Sequence, residues 1–265
     1  MKYKKINSVA LDMDGTLLDS RKKVSCHSLS TIIDLIDQGI KVTIVTGKAY
    51  DLTIHSLIPL KLPVVCLDGA MYVLDGVKRW TPNSFIPTSI VYDILTSNEL
   101  SCYLISNGAV FVRGNIEERQ YRDWSDKIFP LESDTKLNLV THLVFPHKDK
   151  TVLDELYEQL RKKPRIELLL SSDGFFGFSS LFVRSPFCTK LNGARKLFAD
   201  LSVSLDETLF IGDWLNDIPL LSNVGFAVAM RDAPDEVFAV ADAVTLYSND
   251  ENGVSLFLRK FFSLP

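Results

Sequence analysis

Asp12 and Asp14 stand two residues apart where a short apolar run, Val9-Ala10-Leu11, gives way to the turn residues Gly15-Thr16. Side chains two apart on a strand point to the same side, so both carboxylates are expected to project together from the strand's end, or nearly so as the turn begins. Two close carboxylates repel unless a cation lies between them or one holds a proton. Either solution is chemistry: Mg2+, one Asp as nucleophile and the other as acid/base. A solvated turn uses the same residue types, so the motif alone does not decide. An EF-hand loop is excluded, because the downstream acidic ligands and the closing Glu are missing.

Three more groups matter jointly. Thr46-Gly47 follows Val42-Thr43-Ile44-Val45, Lys190 lies near the start of a helical pattern, and Gly212-Asp213-Trp214-Leu215-Asn216-Asp217 follows an apolar run. A Thr-Gly is usually a turn and a lone Lys is usually solvated. The last group is harder to dismiss, since it gathers two more acids at another strand end. Open parallel sheets place ligands just beyond their strand C-termini, where all four groups fall.

Those positions need elements to carry them. Residues 6–12 read as a strand. Ser25 or Ser28 can cap a helix running to Gln38, with Gly39 as its stop. Leu29, Ile32, Ile33, Leu35 and Ile36 form its apolar face. A second strand is expected at 41–46, a second helix at 50–58 and a third strand at 63–67, ending at Asp68-Gly69. Such alternation implies a parallel sheet with right-handed crossovers. Near residue 82 the pattern changes to a helix at 88–97 and a hairpin over 101–112 that turns at Asn107-Gly108. A helix near 116–127, a strand at 137–145, a helix at 151–160 and strand-like runs at 166–171 and 175–184 follow. From residue 188 the first pattern returns. A helix at 189–200, strands at 208–211 and 226–229, a short helix between them, and helices at 234–240 and ending near 261–262 complete it. The fold class expected is α/β: a Rossmann-like parallel-sheet core, residues 1–82 plus 187–265, with an inserted α+β domain at 83–186.

Composition bounds the rest. The 265 residues are long for one core and comfortable for two. With 46% hydrophobic and 23% charged residues the chain reads as globular rather than disordered. A net charge of -4 gives no electrostatic case for nucleic acid and suits an anionic membrane surface poorly. Cys26, Cys66, Cys102 and Cys188 lack a C-x-x-C pair or metal spacing and read as buried free thiols of a reducing compartment. The apolar stretch behind the basic start breaks at Asp12, against a signal peptide. No uninterrupted apolar run approaches the ~18 residues of a membrane span. A cytoplasmic protein is expected.

Taken in order, the motifs resemble those of the haloacid dehalogenase superfamily. More closely, the chain looks like the Cof-type phosphatases, whose large α/β (type IIB) cap is inserted after the third core strand. The tail, Ala241-Asp242-Ala243-Val244-Thr245 and Asn249-Asp250-Glu251-Asn252-Gly253-Val254, is similar to that family's C-terminal region, so the resemblance covers nearly the whole chain. It implies a phosphatase acting through an aspartyl-phosphate. Asp12 would be the nucleophile and Asp14 the general acid/base. Mg2+ would rest on Asp12, on the backbone carbonyl of Asp14 and on Asp213. The Thr46 hydroxyl, backbone N–H groups near Met13 and Gly47, and Lys190 would hold the phosphoryl oxygens. Asp217 would bind a metal water or orient Lys190, with Asn216 in similar service. Dehalogenases of the superfamily lack the second Asp, so phosphoryl transfer is the implied reaction. The implied substrates are small phosphorylated metabolites: sugar phosphates, pyridoxal phosphate or flavin-type phosphomonoesters.

The chain departs from that pattern at Lys48, Asp68, Leu191 and Arg231-Asp232-Ala233, where the resemblance calls for Arg, Asn, Gly and Gly-Asn-Ala. All four are expected to border the leaving-group pocket. An active phosphatase of shifted specificity is the primary reading. The alternatives are a phosphomutase or phosphotransferase, and a weakened regulatory protein that binds a phospho-ligand. In the inserted domain Arg113, Arg119, Arg122 and His142 are substrate-contact candidates by chemistry alone. Phe175-Phe176-Gly177-Phe178 reads as sheet core or cleft lining. No sustained heptad appears, so a monomer is expected.

Overall fold

The protein is described by a computed structural model that covers residues 5–51, 60–118, 121–122, 124–171 and 178–265. Its elements begin with β1 (Ser8–Leu11), α1 (Cys26–Asp37), β2 (Lys41–Val45) and β3 (Val64–Cys66). Ser25 caps α1, its side chain accepting the Ser28 N–H at 3.0 Å. A 3-10 turn, Leu67–Gly69, leads into β4 (Met71–Leu74) and β5 (Val77–Trp80).

A second set follows: α2 (Thr88–Ser97), β6 (Cys102–Ser106), β7 (Ala109–Arg113), β8 (Ile128–Pro130), β9 (Val140–His147), α3 (Lys150–Leu160), β10 (Glu167–Ser171) and β11 (Ser179–Arg184). The chain then returns through α4 (Lys190–Leu201), β12 (Thr208–Gly212), α5 (Ile218–Leu221), β13 (Phe226–Ala229), α6 (Asp235–Phe238), β14 (Ala243–Val244) and α7 (Gly253–Phe262).

Two compact units result. One is drawn from Met1–Gly47, Thr53–Thr81 and Thr189–Pro265, the other from Lys48–Leu52 and Pro82–Cys188. The first holds an eight-stranded sheet ordered β14-β13-β12-β1-β2-β3-β4-β5. Pairing is parallel from β14 to β3, and β4 and β5 are antiparallel. β1 lies between β2 and β12 and is buried throughout, which is why Val9-Ala10-Leu11 is apolar on both faces, while the buried Ser8 hydroxyl is hydrogen-bonded to that of Thr208 at 2.7 Å. Leu191, Ala194, Leu197 and Phe198 of α4 join Ala10, Val45, Val65, Phe210 and Ala229 of the sheet in one apolar cluster.

The second unit holds a six-stranded sheet ordered β10-β11-β9-β6-β7-β8, antiparallel except for the β7–β8 pair. Its own cluster gathers Leu104, Leu143, Phe145, Leu181 and Val183 with Val91 and Ile94 of α2 and Leu153, Leu156 and Leu160 of α3. The expected Asn107-Gly108 hairpin is present as β6–β7, both turn residues at positive φ (50° and 77°).

Two expectations differ from the structure. The β4–β5 hairpin was not anticipated, although Asp75-Gly76 between apolar runs is a two-residue turn signal, and both residues take positive φ. The helix expected near 116–127 is absent among the described residues, which form turns there. The Tyr121 ring lies tilted against Tyr103 and the Trp124 ring against His142, and the Ser125 hydroxyl donates to the Gly108 carbonyl. Anchors at such spacing hold turns against the sheet and override local helix propensity. Most of the helix expected at 50–58, Arg119 and Phe175-Phe176-Gly177 lie outside the described residues.

Candidate active site

The residues of interest meet where the parallel strands of the first unit end. Asp12 follows β1 directly and extends its ladder, donating its N–H to the Ile211 carbonyl at 3.0 Å. The residue is 4% exposed. One carboxylate oxygen, Oδ1, accepts from Lys190 Nζ at 2.6 Å, and the same Nζ donates to Asp217 Oδ1 at 2.6 Å. Lys190 begins α4, whose N-cap Thr189 accepts the Asn192 N–H. The 3-10 turn after β3 approaches this helix start closely. At Gly69 (φ +90°) a Cβ would fall 1.9 Å from the Thr189 carbonyl oxygen, so only glycine lets the two segments meet and fixes where Lys190 enters.

β12 ends at Gly212, and the acids behind it have different tasks. Asp217 is fully buried and both its oxygens are committed: Oδ1 to Lys190, and Oδ2 to the backbone N–H groups of Asp213 and Trp214 at 3.0 and 3.1 Å. It folds the loop and holds the lysine. Asp213 is half-buried and takes the Thr16 hydroxyl on Oδ1 at 3.0 Å. Gly15 (φ +75°) makes room for it, since a Cβ there would fall 2.1 Å from Asp213 Oδ2. Asp12, Asp213 and Asp217 each offer an oxygen within 4.8 Å of the others. Because Asp217 is already spent, Asp12 and Asp213 are the carboxylates placed to take a cation.

Electrostatics agree with that division. Burial pushes the Asp12 carboxyl well up and Lys190 opposes it, while Asp217 and Asp213 add repulsion. Asp213 is pushed up to about 6, first by burial and then by the Asp217 charge, against Lys190 and the hydroxyl donated by Thr16. Burial alone would lower the Lys190 pKa, but Asp12, Asp217 and Asp68 together raise it, so the ammonium stays charged. A cluster of acids gathered on one ammonium is an environment that a hard divalent cation relieves. The donor set therefore fits such an ion.

The remaining sequence candidates sort by partner. Asp14 does not join the buried cluster. Its carboxylate is 33% exposed and accepts from Lys22 Nζ at 2.7 Å. The strand ends at Leu11 and the chain turns from Met13, so the two Asp side chains part. Thr46 is buried, its N–H bonded to the Val65 carbonyl at 2.8 Å. The position a Gly47 Cβ would take lies 3.2 Å from Asp68 Oδ1, which accepts from Asn216 Nδ2 at 2.9 Å. Asp68 is thus buried among the candidates rather than peripheral. Leu191 instead packs into the apolar cluster, a correction to the expectation that it borders a pocket. Asp232 is exposed and pairs with Arg231 at 3.3 Å.

In the second unit, Arg113 is spent on the Leu95 and Leu100 carbonyls and on Asn98, and Arg122 pairs with Glu118. His142 is buried against Thr141 and Trp124. Sequence reasoning passed over Thr16 and Lys22. Thr16 stood inside the first motif, and its hydroxyl type was the available signal. Lys22 carried none, because its reach depends on a left-handed turn (φ 60°) within a basic run.

The sequence profile of the haloacid dehalogenase-like hydrolases matches residues 9–258. Among curated relatives, the phosphatase YwpJ of Bacillus subtilis is 26% identical over 95% of this chain and 98% of its own length. The 5-amino-6-(5-phospho-D-ribitylamino)uracil phosphatase YcsE of the same organism is 25% identical over 96% of this chain and 95% of its own. A haloacid dehalogenase-like hydrolase structure from B. subtilis superposes with a TM-score of 0.78 at 24% identity, over 96% of this chain and 99% of its own. The phosphatase BT1666 of Bacteroides thetaiotaomicron gives 0.76 at 27% identity, over 98% and 96%. The Rossmann-like α/β fold expected from the sequence is borne out by these likenesses. With nearly the whole chain matched, the protein belongs to the haloacid dehalogenase-like hydrolases, as a member of the Cof-type phosphatases that its motif order resembles.

Proposed function

We propose that the protein is a Mg2+-dependent hydrolase of small phosphomonoesters that works through an aspartyl-phosphate on Asp12. The observation that carries this reading is Asp12 itself: a buried carboxylate with one oxygen held by Lys190 at 2.6 Å and Asp213 beside it. Lys190 fixes the attacking group and offsets part of the charge of an arriving phosphoryl group. Asp12 and Asp213 are the side chains that would hold Mg2+, which when bound neutralises charge between nucleophile and phosphoryl oxygens. Thr46, Gly47 and Lys190 bind phosphoryl oxygens, and Asn216 is kept in place by Asp68. Asp14, partly exposed and outside the buried cluster, protonates the leaving oxygen and then deprotonates water. Lys22 keeps that carboxylate oriented until substrate arrives. The second unit corresponds to the inserted cap domain that the resemblance implies.

The relatives named for 5-amino-6-(5-phospho-D-ribitylamino)uracil and for phosphoglycolate motivate a panel of polyol, sugar and carboxylate phosphates, with pyridoxal and flavin phosphates beside them. Phosphate release that needs Mg2+, disappears with EDTA and falls by about 10^4 or more in Asp12→Asn is the expected result. Release that survives Asp12→Asn overturns the nucleophile assignment. Phosphate transfer to an added alcohol without release to water favours a phosphotransferase.

A further inference from the structure

Asp68 brings a further carboxylate to a site whose proposed substrate is itself an anion. It is 6% exposed and lies in the 3-10 turn after β3. Its backbone is left-handed (φ 50°, ψ 34°), a conformation that Asp and Asn adopt more readily than other residues with side chains. Its N–H donates to the Thr46 carbonyl at 3.3 Å, which ties it to the end of β2. Its Oδ1 accepts from Asn216 Nδ2 at 2.9 Å and lies 3.2 Å from the position a Gly47 Cβ would take. After Asp12 and Asp217, it is the third carboxylate whose charge keeps Lys190 an ammonium. Asp68 thus stands against Thr46 and Gly47 and within electrostatic reach of Lys190, the three residues assigned above to the phosphoryl oxygens.

The bond to Asn216 does not require a charge at this position. An Asn amide oxygen would accept from Asn216 equally well, would suit the same left-handed φ, and would spare the burial of another anion among acids. A carboxylate beside Thr46 and Gly47 repels any anion they hold, because charge interactions reach well beyond contact distance where water is excluded. Lys190 is already committed to Asp12 and Asp217 at 2.6 Å each. Resting on the phosphatase reading, we propose that Asp68 determines how tightly the site holds phosphate: its charge loosens the grip on the dianion, so that inorganic phosphate departs after hydrolysis instead of lingering. The ester is held more loosely by the same repulsion, which raises KM. Turnover is relieved of a slow release step, a common limit on kcat.

Asp68→Asn keeps an acceptor for Asn216 and removes the charge. Calorimetry with inorganic phosphate in Mg2+ buffer is expected to show the variant binding about 10-fold or more tighter than wild type. In steady-state assays KM and the inhibition constant of phosphate should fall together, with no rise in kcat. A merely structural role predicts the opposite sign, since a disturbed Gly47 or Asn216 would loosen phosphate. Binding that is unchanged or weaker in a variant that melts like wild type overturns the proposal. Should Asp68→Asn lose its fold, Asp68→Ser, also neutral and able to accept from Asn216, is judged by the same criterion. A wild type that hydrolyses esters while both proteins bind phosphate equally sinks the role of Asp68 and leaves the phosphatase reading standing. A wild type that releases phosphate from no ester, with neither protein binding phosphate, overturns both.

Discussion

Lys190 touches two buried carboxylates with one ammonium and is itself 2% exposed, so three desolvated groups depend on its charge. Replacing it by Met leaves Asp12 and Asp217 without their cation. Stability is expected to fall by about 3–5 kcal/mol in urea titrations. Asp213 acts in the opposite sense. Its pKa rises from 3.8 to about 6 on folding, so the folded state holds its proton more tightly than the unfolded chain does. The metal-free protein therefore loses stability from this group as pH rises from about 4 to 6, by up to about 3 kcal/mol before solvent screening. Asp213→Asn removes the titrating group and keeps an oxygen for Thr16. In metal-free buffer the variant's stability relative to wild type is expected to increase across that window, and a gap that stays level with pH counts against the assignment. Added Mg2+ should stabilise wild type and leave the variant nearly unmoved, as thermal melts at pH 7 would record. The Asp12, Lys190, Asp213 and Asp217 cluster was legible in the sequence because its residue types and strand-end positions are local. The Lys22–Asp14 pair was not, because a left-handed lysine in a basic run leaves no mark in residue order.

Elements place these groups through close backbone approaches. The turn Leu67–Gly69 seats against the start of α4, and Gly69→Ala would drive a Cβ into the Thr189 carbonyl. A loss of at least about 2 kcal/mol is expected from the positive φ and the overlap together. Because Lys190 follows Thr189 directly, kcat should fall further than substrate binding does; equal effects on both would mean the turn serves stability alone. The core strands could be read from the sequence since buried parallel strands are plain apolar runs. The β4–β5 hairpin was overlooked although Asp75-Gly76 announced it, and the helix expected near 116–127 gave way to aromatic anchors whose partners, Tyr103 and His142, come from other strands. Contacts of that kind appear only once the sheet exists.

At the scale of the whole molecule, each unit carries an apolar cluster of its own. Phe145 is fully buried in the second unit's cluster, and Phe145→Ala should cost that unit about 3–5 kcal/mol. Mg2+ affinity measured by calorimetry on the same variant is expected to stay at the wild-type value, since the acids belong to the first unit; a parallel loss of affinity would join the two. The central position of β1 has a temporal consequence. Its neighbour β12 and the lysine that meets Asp12 arrive late, the contact spanning 178 positions of the chain. During synthesis the inserted unit is complete before its host, whose first strand must wait with one flank bare and the carboxylate at its end uncompensated. The last third of the polypeptide to leave the ribosome closes that flank and gathers the acids around Lys190 in the same event.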